Sequence, residues 1–485
     1  MASVIRTCIT PSLTLSIAMQ NSKPHQFNPV ILREYDIRGV VGRDLFEADA
    51  YALGLSFGTM LRRQNGATMC VGYDGRTTSP ALASALIRGL TETGIAVENI
   101  GLGPSPMLYF AVKDRKADAG IMVTGSHNPG DYNGFKMMLQ NSTFYGAMIQ
   151  GIGALAASGV FESGRGSETH IDVKEAYVAR LLQDYTAARP LKVVWDAGNG
   201  AAGEVLRMLT AKLPGEHILL FDDIDGTFPN HHPDPTVDKN LADLQRAVLD
   251  QTCDLGIAFD GDGDRIGAVD AHGGIVRGDT LMALYARGIL ARQPGAPIVA
   301  DVKCSKVLFD EIHRLGGQPV MWKTGHSLVK SKMAELKSPL GGELSGHIFF
   351  NDIYYGFDDA LYCGVRLLNE VAAAPGGLAG LTAALPRMFS TPELRIEVDE
   401  SEKFALAARV ADNVRTHYTG LDIIDIDGIR VSSKDGWWLL RASNTQNVLV
   451  ARAEGVSEAA LERLKVMLAT EMQRLGYTLD YKEHA

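Results

Sequence analysis

A pattern that recurs three times constrains the fold of this chain more than any other feature of its sequence. Each copy opens with a short apolar strand that ends in an aspartate, at Asp74, Asp196 or Asp301, and a helix-like stretch follows. Each copy then adds a second strand and a third apolar element that ends in an unusual loop. Alternating strands and helices are typical of parallel βαβ units, which bind ligands at the carboxyl ends of their strands. We therefore expect three similar α/β domains, each of which contributes one loop to a shared cleft.

The first copy ends in residues 124–129, a loop that places a serine soon after a short apolar strand. Residues 121–123 indicate a buried strand, Gly125 frees the backbone just before the serine, and Pro129 prevents a regular continuation. Ser126 is therefore expected on a tight turn at the carboxyl end of a strand. A hydroxyl in such a place can act as a nucleophile or carry a phosphoryl group between substrates. The alternative is a structural serine turn, which is the commoner use of serine in loops.

The second copy ends in an acidic loop, residues 259–265, with three carboxylates on alternate positions. Asp260, Asp262 and Asp264 are separated by glycines, which allow the backbone to curl until all three carboxylates reach one ion. Three carboxylates this close repel one another unless a cation lies among them, and ligands that are all oxygen favour Mg²⁺. The loop is not an EF-hand, because Arg265 stands at its sixth position and Ala271 at its twelfth. A solvated acidic turn is the alternative.

The third copy ends in residues 341–347, where Glu343, Ser345 and His347 lie close together in the chain. A carboxylate, a hydroxyl and an imidazole can hydrogen-bond neighbouring sugar hydroxyls. His347 can also carry a proton, because imidazole is the side chain with the pKa nearest to neutral pH. Considered alone, His347 is explained equally well as a structural histidine.

A fourth loop belongs to the last hundred residues or so, which differ in character. Residues 394–398 alternate like a half-buried strand and residues 457–475 form an amphipathic helical pattern, so an α+β domain is expected here. Its loop offers a guanidinium, two hydroxyls and an amide, which together suit a phosphate. These groups belong to Arg441, Ser443, Asn444 and Thr445. An exposed loop without function is the alternative.

Three single cations and one histidine could complete such a cleft. Lys136 follows Ser126 by ten positions and can return to it as an acid or as a neutralising charge. Lys303 and His326 follow the first and second strands of the third copy, and Arg38 precedes a glycine in an early loop. For each cation taken alone, a solvated surface charge is the simpler explanation.

Composition limits the class of function. The chain of 485 residues carries a net charge of −10, which argues against a general nucleic-acid binder, so an anionic substrate would require cations gathered locally. No run of about 18 apolar residues suggests a membrane span. The five cysteines are scattered and include no CxxC pair, which favours a reducing compartment, so a cytoplasmic location is expected.

The chain is expected to divide into an N-terminal extension and four domains. Residues 1–27 are predicted to be a disordered extension, although a targeting peptide, or a true start at Met19, would also explain their composition. The domains are predicted at residues 28–171, 172–274, 275–387 and 388–485. They carry, in turn, the serine loop, the acidic loop, the third loop and the phosphate loop.

Together and in this order, the four loops resemble the signature loops of the α-D-phosphohexomutase superfamily, and most closely those of its bacterial phosphomannomutase/phosphoglucomutase branch. The resemblance covers residues 29–485. It implies an α/β fold of three similar α/β domains with mixed sheets and a C-terminal α+β domain, arranged around a central cleft. Residues 342–347 and 441–445 are similar to the mannose/glucose branch, since the glucosamine branch usually has Arg-Pro-Ser-Gly-Thr at the phosphate loop.

The resemblance also implies a role for each candidate residue. Ser126 is expected to be a phosphoserine that donates and recovers a phosphoryl group, and to share one Mg²⁺ with Asp260, Asp262 and Asp264. The other expected catalytic residues are Lys136, His347 and Arg38. The expected substrate-binding residues are Tyr35, Arg265, Lys303, His326, Glu343, Ser345, His347, Arg441, Ser443, Asn444 and Thr445.

The implied reaction interconverts hexose 1-phosphate and hexose 6-phosphate, of mannose and of glucose, through a hexose 1,6-bisphosphate that turns over in the cleft. A monomer is expected, with phosphosugars as its partners and neither nucleic acid nor membrane. Phosphoglucosamine mutase is an alternative from the same superfamily. A phosphoserine-dependent sugar-phosphate hydrolase and a non-catalytic sugar-phosphate-binding protein are alternatives from other classes. The general base stays open between His347 and Lys136.

Overall fold

Three domains with a common pattern and a fourth of a different kind make up the protein. The computed structural model describes residues 18–21, 23–140, 142–399, 401–444, 446–479 and 481. Within them, strands and helices alternate through the first three domains, and the strands of the fourth pair antiparallel. No helix in these residues combines the length and the apolar character needed to cross a membrane.

The first domain is built on a seven-stranded mixed sheet. The strands of the whole domain, two of which lie outside this sheet, are β1 (Ala18–Asn21), β2 (Ile37–Val40), β3 (Thr68–Tyr73), β4 (Ala96–Leu102), β5 (Ala119–Val123), β6 (Tyr132–Leu139), β7 (Ser142–Thr143), β8 (Val160–Ser163) and β9 (Ser167–His170). Its helices are α1 (Glu47–Arg63), α2 (Ser79–Glu92), α3 (Ser105–Arg115) and α4 (Ala147–Ser158). The strand order is β2-β6-β5-β3-β4-β9, with β7 paired to β6, while β1 and β8 form a separate antiparallel pair.

The second and third domains use smaller sheets. The second contains β10 (Leu191–Asp196), β11 (Gly215–Leu220), β12 (Leu255–Phe259), β13 (Ile266–Asp270) and β14 (Ile275–Val276), with α5 (Lys174–Leu182), α6 (Gly203–Thr210) and α7 (Ala242–Asp250). The third contains β15 (Pro297–Asp301), β16 (Gln318–Trp322), β17 (Leu340–Gly342) and β18 (Ile348–Phe350), with α8 (Gly278–Arg292), α9 (Lys306–Arg314), α10 (His326–Leu336), α11 (Ala360–Ala373) and α12 (Gly377–Ala383). The strand orders are β11-β10-β12-β13-β14 and β16-β15-β17-β18.

A shared topology confirms the threefold repeat. In each domain the first strand of the copy pairs in parallel with the two strands that follow it, as β3 does with β4 and β5, β10 with β11 and β12, and β15 with β16 and β17. The third strand then pairs antiparallel with the next strand, which is β6, β13 or β18. The three predicted loops are the turns between these last two strands. Because the chain reverses there, the sheets are mixed, and each loop leaves from the carboxyl end of the third strand.

The fourth domain packs two helices against an antiparallel sheet, as an α+β domain requires. Its strands are β19 (Phe389–Ser390), β20 (Leu394–Glu397), β21 (Asp422–Ile424), β22 (Ile429–Ser433), β23 (Gly436–Ala442) and β24 (Val448–Gly455), and its helices are α13 (Lys403–His417) and α14 (Glu458–Arg474). Ser457 caps α14, because its side chain accepts a hydrogen bond from the Ala460 amide. The predicted phosphate loop lies at the end of β23 and before β24.

Apolar packing joins the first three domains more closely than it joins the fourth. One continuous core contains residues of α3, of the second and third sheets, and of α8 and α11. A separate core lies inside the fourth domain, between its sheet and its two helices. Trp437 of that domain packs with Val302 of the third domain in a small cluster. One core therefore supports the second and third loops and reaches the first domain, while the fourth loop comes from a separately packed domain.

The folded part of the chain begins earlier than predicted. The predicted disordered extension lies outside the described residues at positions 1–17 and 22. β1 nevertheless pairs with β8, and Phe27 is buried. His25 Nε2 also lies 2.7 Å from Asp49 Oδ1 at the start of α1. A boundary at residue 27 is therefore too late, because an aromatic ring and a polar contact hold residues 23–27 against the first domain.

Candidate active site

Ser126 lies just after β5 with a left-handed backbone and a buried side chain. Its φ is +50° and its exposure is 1%. Its amide donates a hydrogen bond to Thr124 Oγ1 at 2.8 Å. The glycine beside it acts differently from our expectation, since a Cβ at Gly125 would lie 2.4 Å from the guanidinium carbon of Arg76. Glycine is thus needed for a close approach, and the serine itself adopts the unusual backbone angle.

Arg76, which the sequence analysis did not single out, holds this loop in place. Its side chain is 0% exposed and pairs with Asp74, with 3.1 Å between Nε and Oδ2. The guanidinium also donates to four main-chain carbonyl oxygens, those of Ser126, Asn128, Pro129 and Tyr132. Asp74 in turn accepts hydrogen bonds from Thr124 Oγ1 and from the Gly125 amide. The signal available in the sequence was the Asp-Gly-Arg run after the first strand of the first copy.

The aspartates of the acidic loop form one buried cluster. Asp260, Asp262 and Asp264 are each at most 1% exposed, and one oxygen from each lies within 4.8 Å of the others. Both glycines of the loop are needed, because a Cβ at Gly261 would lie 2.4 Å from the Ser126 carbonyl oxygen and Gly263 has a φ of +76°. Burial, together with the neighbouring carboxylates, raises the pKa of Asp260 well above its usual range. The cluster therefore requires positive charge.

Lys136 supplies part of that charge. Its ammonium donates to Asp262 Oδ2 at 2.6 Å and also to Asp264. Burial opposes the charge on Lys136, but the aspartates outweigh it and raise the pKa of the lysine. Asp262 Oδ1 and Asp264 Oδ1 are buried and have no hydrogen-bond partner in the described part of the chain. A divalent cation fits this set of donors, because its ligands would all be oxygens and two of them are otherwise unsatisfied.

The serine loop and the acidic loop meet directly. Ser126 Oγ donates to Asp260 Oδ2 at 2.9 Å, although the two residues are 134 positions apart. The first turn of α3 fixes the acidic loop from the first domain, since the Ser105 amide donates to the Asp262 carbonyl oxygen at 2.8 Å. The Ser105 hydroxyl also donates to the carboxylate of Asp262. Two domains therefore present their loops to each other at hydrogen-bond distance.

The third loop brings its predicted residues together and extends the cluster. His347 Nδ1 lies 2.9 Å from Glu343 Oε2 and 3.2 Å from Ser345 Oγ. On the other side of the ring, His347 Nε2 lies 3.2 Å from Arg265 Nε and 3.4 Å from Asp264 Oδ1. Burial opposes protonation of the imidazole, but Asp264 and Glu343 raise the pKa of His347 to about 9. The third loop thus adjoins the acidic loop.

The fourth loop contacts both the first and the third domains. Arg441 is buried, and its Nε donates to Asp427 Oδ2 at 3.0 Å. The same aspartate oxygen accepts from the Thr324 amide of the third domain at 2.9 Å. Asn444 Nδ2 donates to the Tyr35 hydroxyl of the first domain at 2.6 Å, and that hydroxyl donates to the Thr324 carbonyl oxygen at 2.9 Å. Asp427 is therefore a second residue that sequence reasoning missed.

Arg38 and Lys303, the two remaining predicted cations, each contact a side chain of the serine loop or of a neighbouring domain. Arg38 Nη1 donates to Asn128 Oδ1 at 2.9 Å, two residues beyond the serine. Lys303 Nζ donates to Glu393 Oε2 at 3.1 Å and so ties the third domain to the fourth. Asn128 thus holds Arg38 in place and Glu393 holds Lys303, and the sequence revealed neither partner.

The remaining predicted residues are His326, Ser443 and Thr445. The ring of His326 lies 5.5 Å from that of His347. Ser443 is buried and lies two residues after Arg441, just beyond the end of β23. Thr445 lies outside the described residues. Beside the loops, a cavity of about 390 Å³ is lined in part by Tyr35, Lys136 and His326, which is room enough for a small ligand.

Comparisons with known proteins agree with this arrangement. Four family models match consecutive parts of the chain. They are phosphoglucomutase/phosphomannomutase alpha/beta/alpha domains I, II and III, at residues 29–161, 175–274 and 277–389, and the C-terminal domain of the same family at residues 393–471.

Individual relatives match over nearly the full length. The chain is 42% identical to a phosphomannomutase/phosphoglucomutase of Pseudomonas syringae pv. tomato, over 93% of this chain and 96% of the relative. It is 41% identical to a phosphoglucomutase of Neisseria meningitidis serogroup A, over 90% of this chain and 95% of the relative. A crystal structure of a phosphoglucomutase/phosphomannomutase family protein from Burkholderia thailandensis superposes with a TM-score of 0.88 at 42% identity, and covers 94% of this chain and 99% of its own.

Proposed function

The chain belongs to the phosphoglucomutase/phosphomannomutase family, and on that premise we propose that it interconverts the 1-phosphates and 6-phosphates of mannose and glucose. The enzyme is then an isomerase that moves a phosphoryl group within one hexose. The observation that carries the proposal is the 2.9 Å contact between Ser126 Oγ and Asp260, because it joins the residue proposed to carry the phosphoryl group to the cluster proposed to bind a cation. The chemistry expected of each loop follows from this contact.

Ser126 is proposed to carry the phosphoryl group in the resting enzyme. The free hydroxyl of the substrate attacks the phosphorus, so that a sugar O–P bond forms and the serine O–P bond breaks. The hydroxyl proton leaves the sugar, the serine oxygen takes up a proton, and the product is hexose 1,6-bisphosphate. After the bisphosphate has turned over, Ser126 takes the other phosphoryl group by the reverse step, so that no phosphate is lost. Holding the reacting atoms in line contributes about 7–11 kcal/mol to such a transfer.

Mg²⁺ is the divalent ion proposed for the acidic cluster, held by Asp260, Asp262 and Asp264 and by the phosphate on Ser126. When bound, the ion would offset negative charge on the transferred group. Lys136 adds its own positive charge at the same carboxylates. These groups neutralise the phosphoryl group while it passes from serine to sugar.

Substrate recognition is proposed to divide between the third and fourth loops. Glu343 and Ser345 bind sugar hydroxyls, and both glucose and mannose are accepted if the two residues read the 3- and 4-hydroxyls. The non-reacting phosphate is gripped by the phosphate loop, and Arg38, Arg265, Lys303, His326 and Tyr35 line the space between. Because the bisphosphate binds in two orientations, the phosphate loop can bind either the 1-phosphate or the 6-phosphate.

Two side chains are candidates for the base that takes the proton of the attacking hydroxyl, and each must first lose its own proton, because neighbouring carboxylates raise the pKa of both. His347 contacts Glu343, which is the proposed sugar ligand, while Lys136 contacts the aspartates. The pH dependence of kcat in His347→Gln and in Lys136→Met separates the two roles. The variant that lacks the base loses the corresponding limb of the profile, and the other variant keeps it.

Replacement of the serine tests the assignment. Purified wild-type protein is expected to contain a fraction about 80 Da heavier, as one phosphoryl group requires. Ser126→Ala should lose both this adduct and most of the turnover of mannose 1-phosphate and glucose 1-phosphate. Ser167→Ala, on the exposed edge strand β9, is the control and should retain both. Unchanged mutase activity in Ser126→Ala would refute the proposed function.

The same assay distinguishes the neighbouring activities. Faster turnover of glucosamine 1-phosphate than of mannose 1-phosphate would indicate a phosphoglucosamine mutase instead. Steady release of inorganic phosphate without stimulation by hexose 1,6-bisphosphate would indicate a hydrolase.

We further propose a cytoplasmic monomer, in accord with the four described cysteines, which are all free and buried. Light scattering of the purified chain tests the oligomeric state.

A further inference from the structure

We propose that the protein contains a second metal site, specific for a transition metal such as Zn²⁺, formed by Asp264, His347 and Asp358 with His326 at its edge. Asp358 precedes α11 and belongs to none of the four loops. This inference goes beyond the mutase reaction, because its first test is a binding measurement on the folded protein.

The first support is geometric. One ligand atom from each of Asp264, His347 and Asp358 lies within 4.8 Å of the others, and all three residues are buried. Asp264 Oδ1 and His347 Nε2 are 3.4 Å apart. A tetrahedral ion with bonds of about 2.1 Å holds its ligand atoms about 3.4 Å apart, so this pair already has the required separation. The ligand atom of Asp358 lies at most 4.8 Å from the other two, so it needs to approach by no more than about 1.4 Å.

The second support is that three of the atoms facing this point lack hydrogen-bond partners, although His347 Nε2 accepts a hydrogen bond from Arg265 Nε at 3.2 Å that an ion would displace. Asp358 is 0% exposed, and its Oδ2 has no hydrogen-bond partner in the part of the chain that the structure describes. The same is true of Asp264 Oδ1 and of His326 Nδ1, and the latter lies 3.7 Å from Asp358 Oδ2. Buried carboxylate and imidazole atoms without partners are costly, and a cation among them removes that cost.

The donor set selects the kind of ion. The acidic cluster offers only carboxylates to an ion and suits Mg²⁺, whereas this point adds the imidazole of His347, with that of His326 beside it. Imidazole favours Zn²⁺ and Co²⁺ over Mg²⁺. Asp264 would be shared between the two ions. An ion at the second site would also occupy His347, so Zn²⁺ should inhibit a mutase that uses this histidine.

Lys330 provides an internal competitor for the proposed ion. Its ammonium donates to Asp358 Oδ1 at 2.9 Å. The lysine therefore holds Asp358 and repels a cation placed nearby. Removal of the lysine charge should strengthen metal binding, while removal of the Asp358 charge should weaken it. A merely structural Asp358–Lys330 pair predicts no metal binding in either case.

Co²⁺ titration of the full chain, saturated with Mg²⁺ in large excess, tests the proposal. Co²⁺ bound by nitrogen and oxygen in a four-coordinate site absorbs visible light far more strongly than six-coordinate Co²⁺ among oxygens. Wild-type protein should develop such a band with one Co²⁺ per chain, and Zn²⁺ should abolish it. Asp358→Asn should weaken binding at least about 10- to 100-fold. Lys330→Gln should tighten it about tenfold.

Asp359→Asn is the matched control, because Asp359 is an equally buried neighbouring carboxylate that bonds to Tyr177 and Tyr354 instead. Its band should equal that of the wild type. Zn²⁺ should inhibit the wild type at concentrations that leave Asp358→Asn active. Absence of the band in wild-type protein, or equal Co²⁺ affinity in Asp358→Asn and Lys330→Gln, would overturn the proposal.

Discussion

Replacement of Arg76 by lysine should separate loop positioning from substrate binding. The guanidinium makes one hydrogen bond to Asp74, three to carbonyl oxygens of the serine loop and one to that of Tyr132, with distances of 2.7 Å to Ser126 and 2.6 Å to Asn128. Lysine keeps the charge but has a single ammonium on a flexible stem, so it cannot reach carbonyls that arginine binds as a planar fork. The perturbation therefore removes geometry and retains charge.

The magnitude follows from the buried partners that are left without donors. Each unsatisfied buried carbonyl costs about 1–3 kcal/mol, and breaking a buried ion pair outright costs about 3–5 kcal/mol. Because the three N–H groups of a lysine can serve Asp74 and at most two of the four carbonyls, at least two carbonyls lose their donors, and we expect a loss of about 2–6 kcal/mol in the stability of the first domain. A shift of 1 Å in a reacting group costs about 100-fold in rate, so kcat should fall about 100-fold.

Steady-state kinetics with intact-mass analysis is the assay. KM for glucose 1-phosphate should stay within about twofold, because no described residue of the phosphate loop hydrogen-bonds to Arg76, while the rate of phosphorylation of Ser126 by glucose 1,6-bisphosphate should fall with kcat. Arg43→Lys, an exposed arginine of the same domain, is the control. A folded Arg76→Lys enzyme with wild-type kcat and phosphorylation rate would show that the guanidinium does not position the serine.

Three further predictions concern the contacts between domains. Tyr35→Phe removes the hydroxyl bonded to Asn444, and should raise KM about 2- to 10-fold in steady-state assays with kcat little changed; an unaltered KM would contradict this. Gly325→Ala should lower the melting temperature, because φ is +137° there and a Cβ would lie 2.5 Å from the Tyr35 ring. Burial opposes the charge on Glu393, but Lys303 outweighs it and lowers the pKa of Glu393 to about 2. Since the folded pKa is below the unfolded one, the pair stabilises the protein above about pH 4 and the contribution is lost as pH falls towards 2, so Glu393→Gln should flatten that part of a stability-versus-pH curve.

The fold was predictable wherever the chemistry of a short segment decides its structure. Strands that end in aspartate and are followed by helical stretches predicted the three copies, and the structure confirms them. Ser457 was correctly expected to open the last helix. The antiparallel return of β6, β13 and β18 was not read from periodicity, because a strand pattern is the same in either direction. The burial of Phe27 was missed because the core of the first domain, into which its ring packs, is assembled from residues far apart in the sequence.

The structure brings together the side chains predicted for the candidate site, but the sequence did not reveal the residues that position them. Ser126, Asp260 and His347 stand in loops of unusual composition, and such loops are recognisable in one sequence. Arg76 and Asp427 act by binding main-chain atoms or another side chain, so their role exists only in the folded protein. A single Asp-Gly-Arg run does not reveal that its arginine will meet a loop 50 residues away.

Most cations of the candidate site are paired with carboxylates, which the sequence did not indicate. We expected a chain with a net charge of −10 to gather positive groups for its anionic substrate. The structure gathers them, but it pairs them with carboxylates, as in Arg38 with Asp36, Lys136 with Asp262 and Asp264, Lys303 with Glu393, and Arg441 with Asp427. Such pairing lowers the cost of burying each cation and fixes its direction. Among the described residues, the guanidinium of Arg265 has no carboxylate oxygen within 4 Å, and its Nε donates to His347 Nε2 instead. A phosphate that enters this space therefore meets oriented donors whose charge is largely offset, which favours recognition by geometry. In the proposed mechanism, this balance allows the bisphosphate to turn over rather than remain trapped.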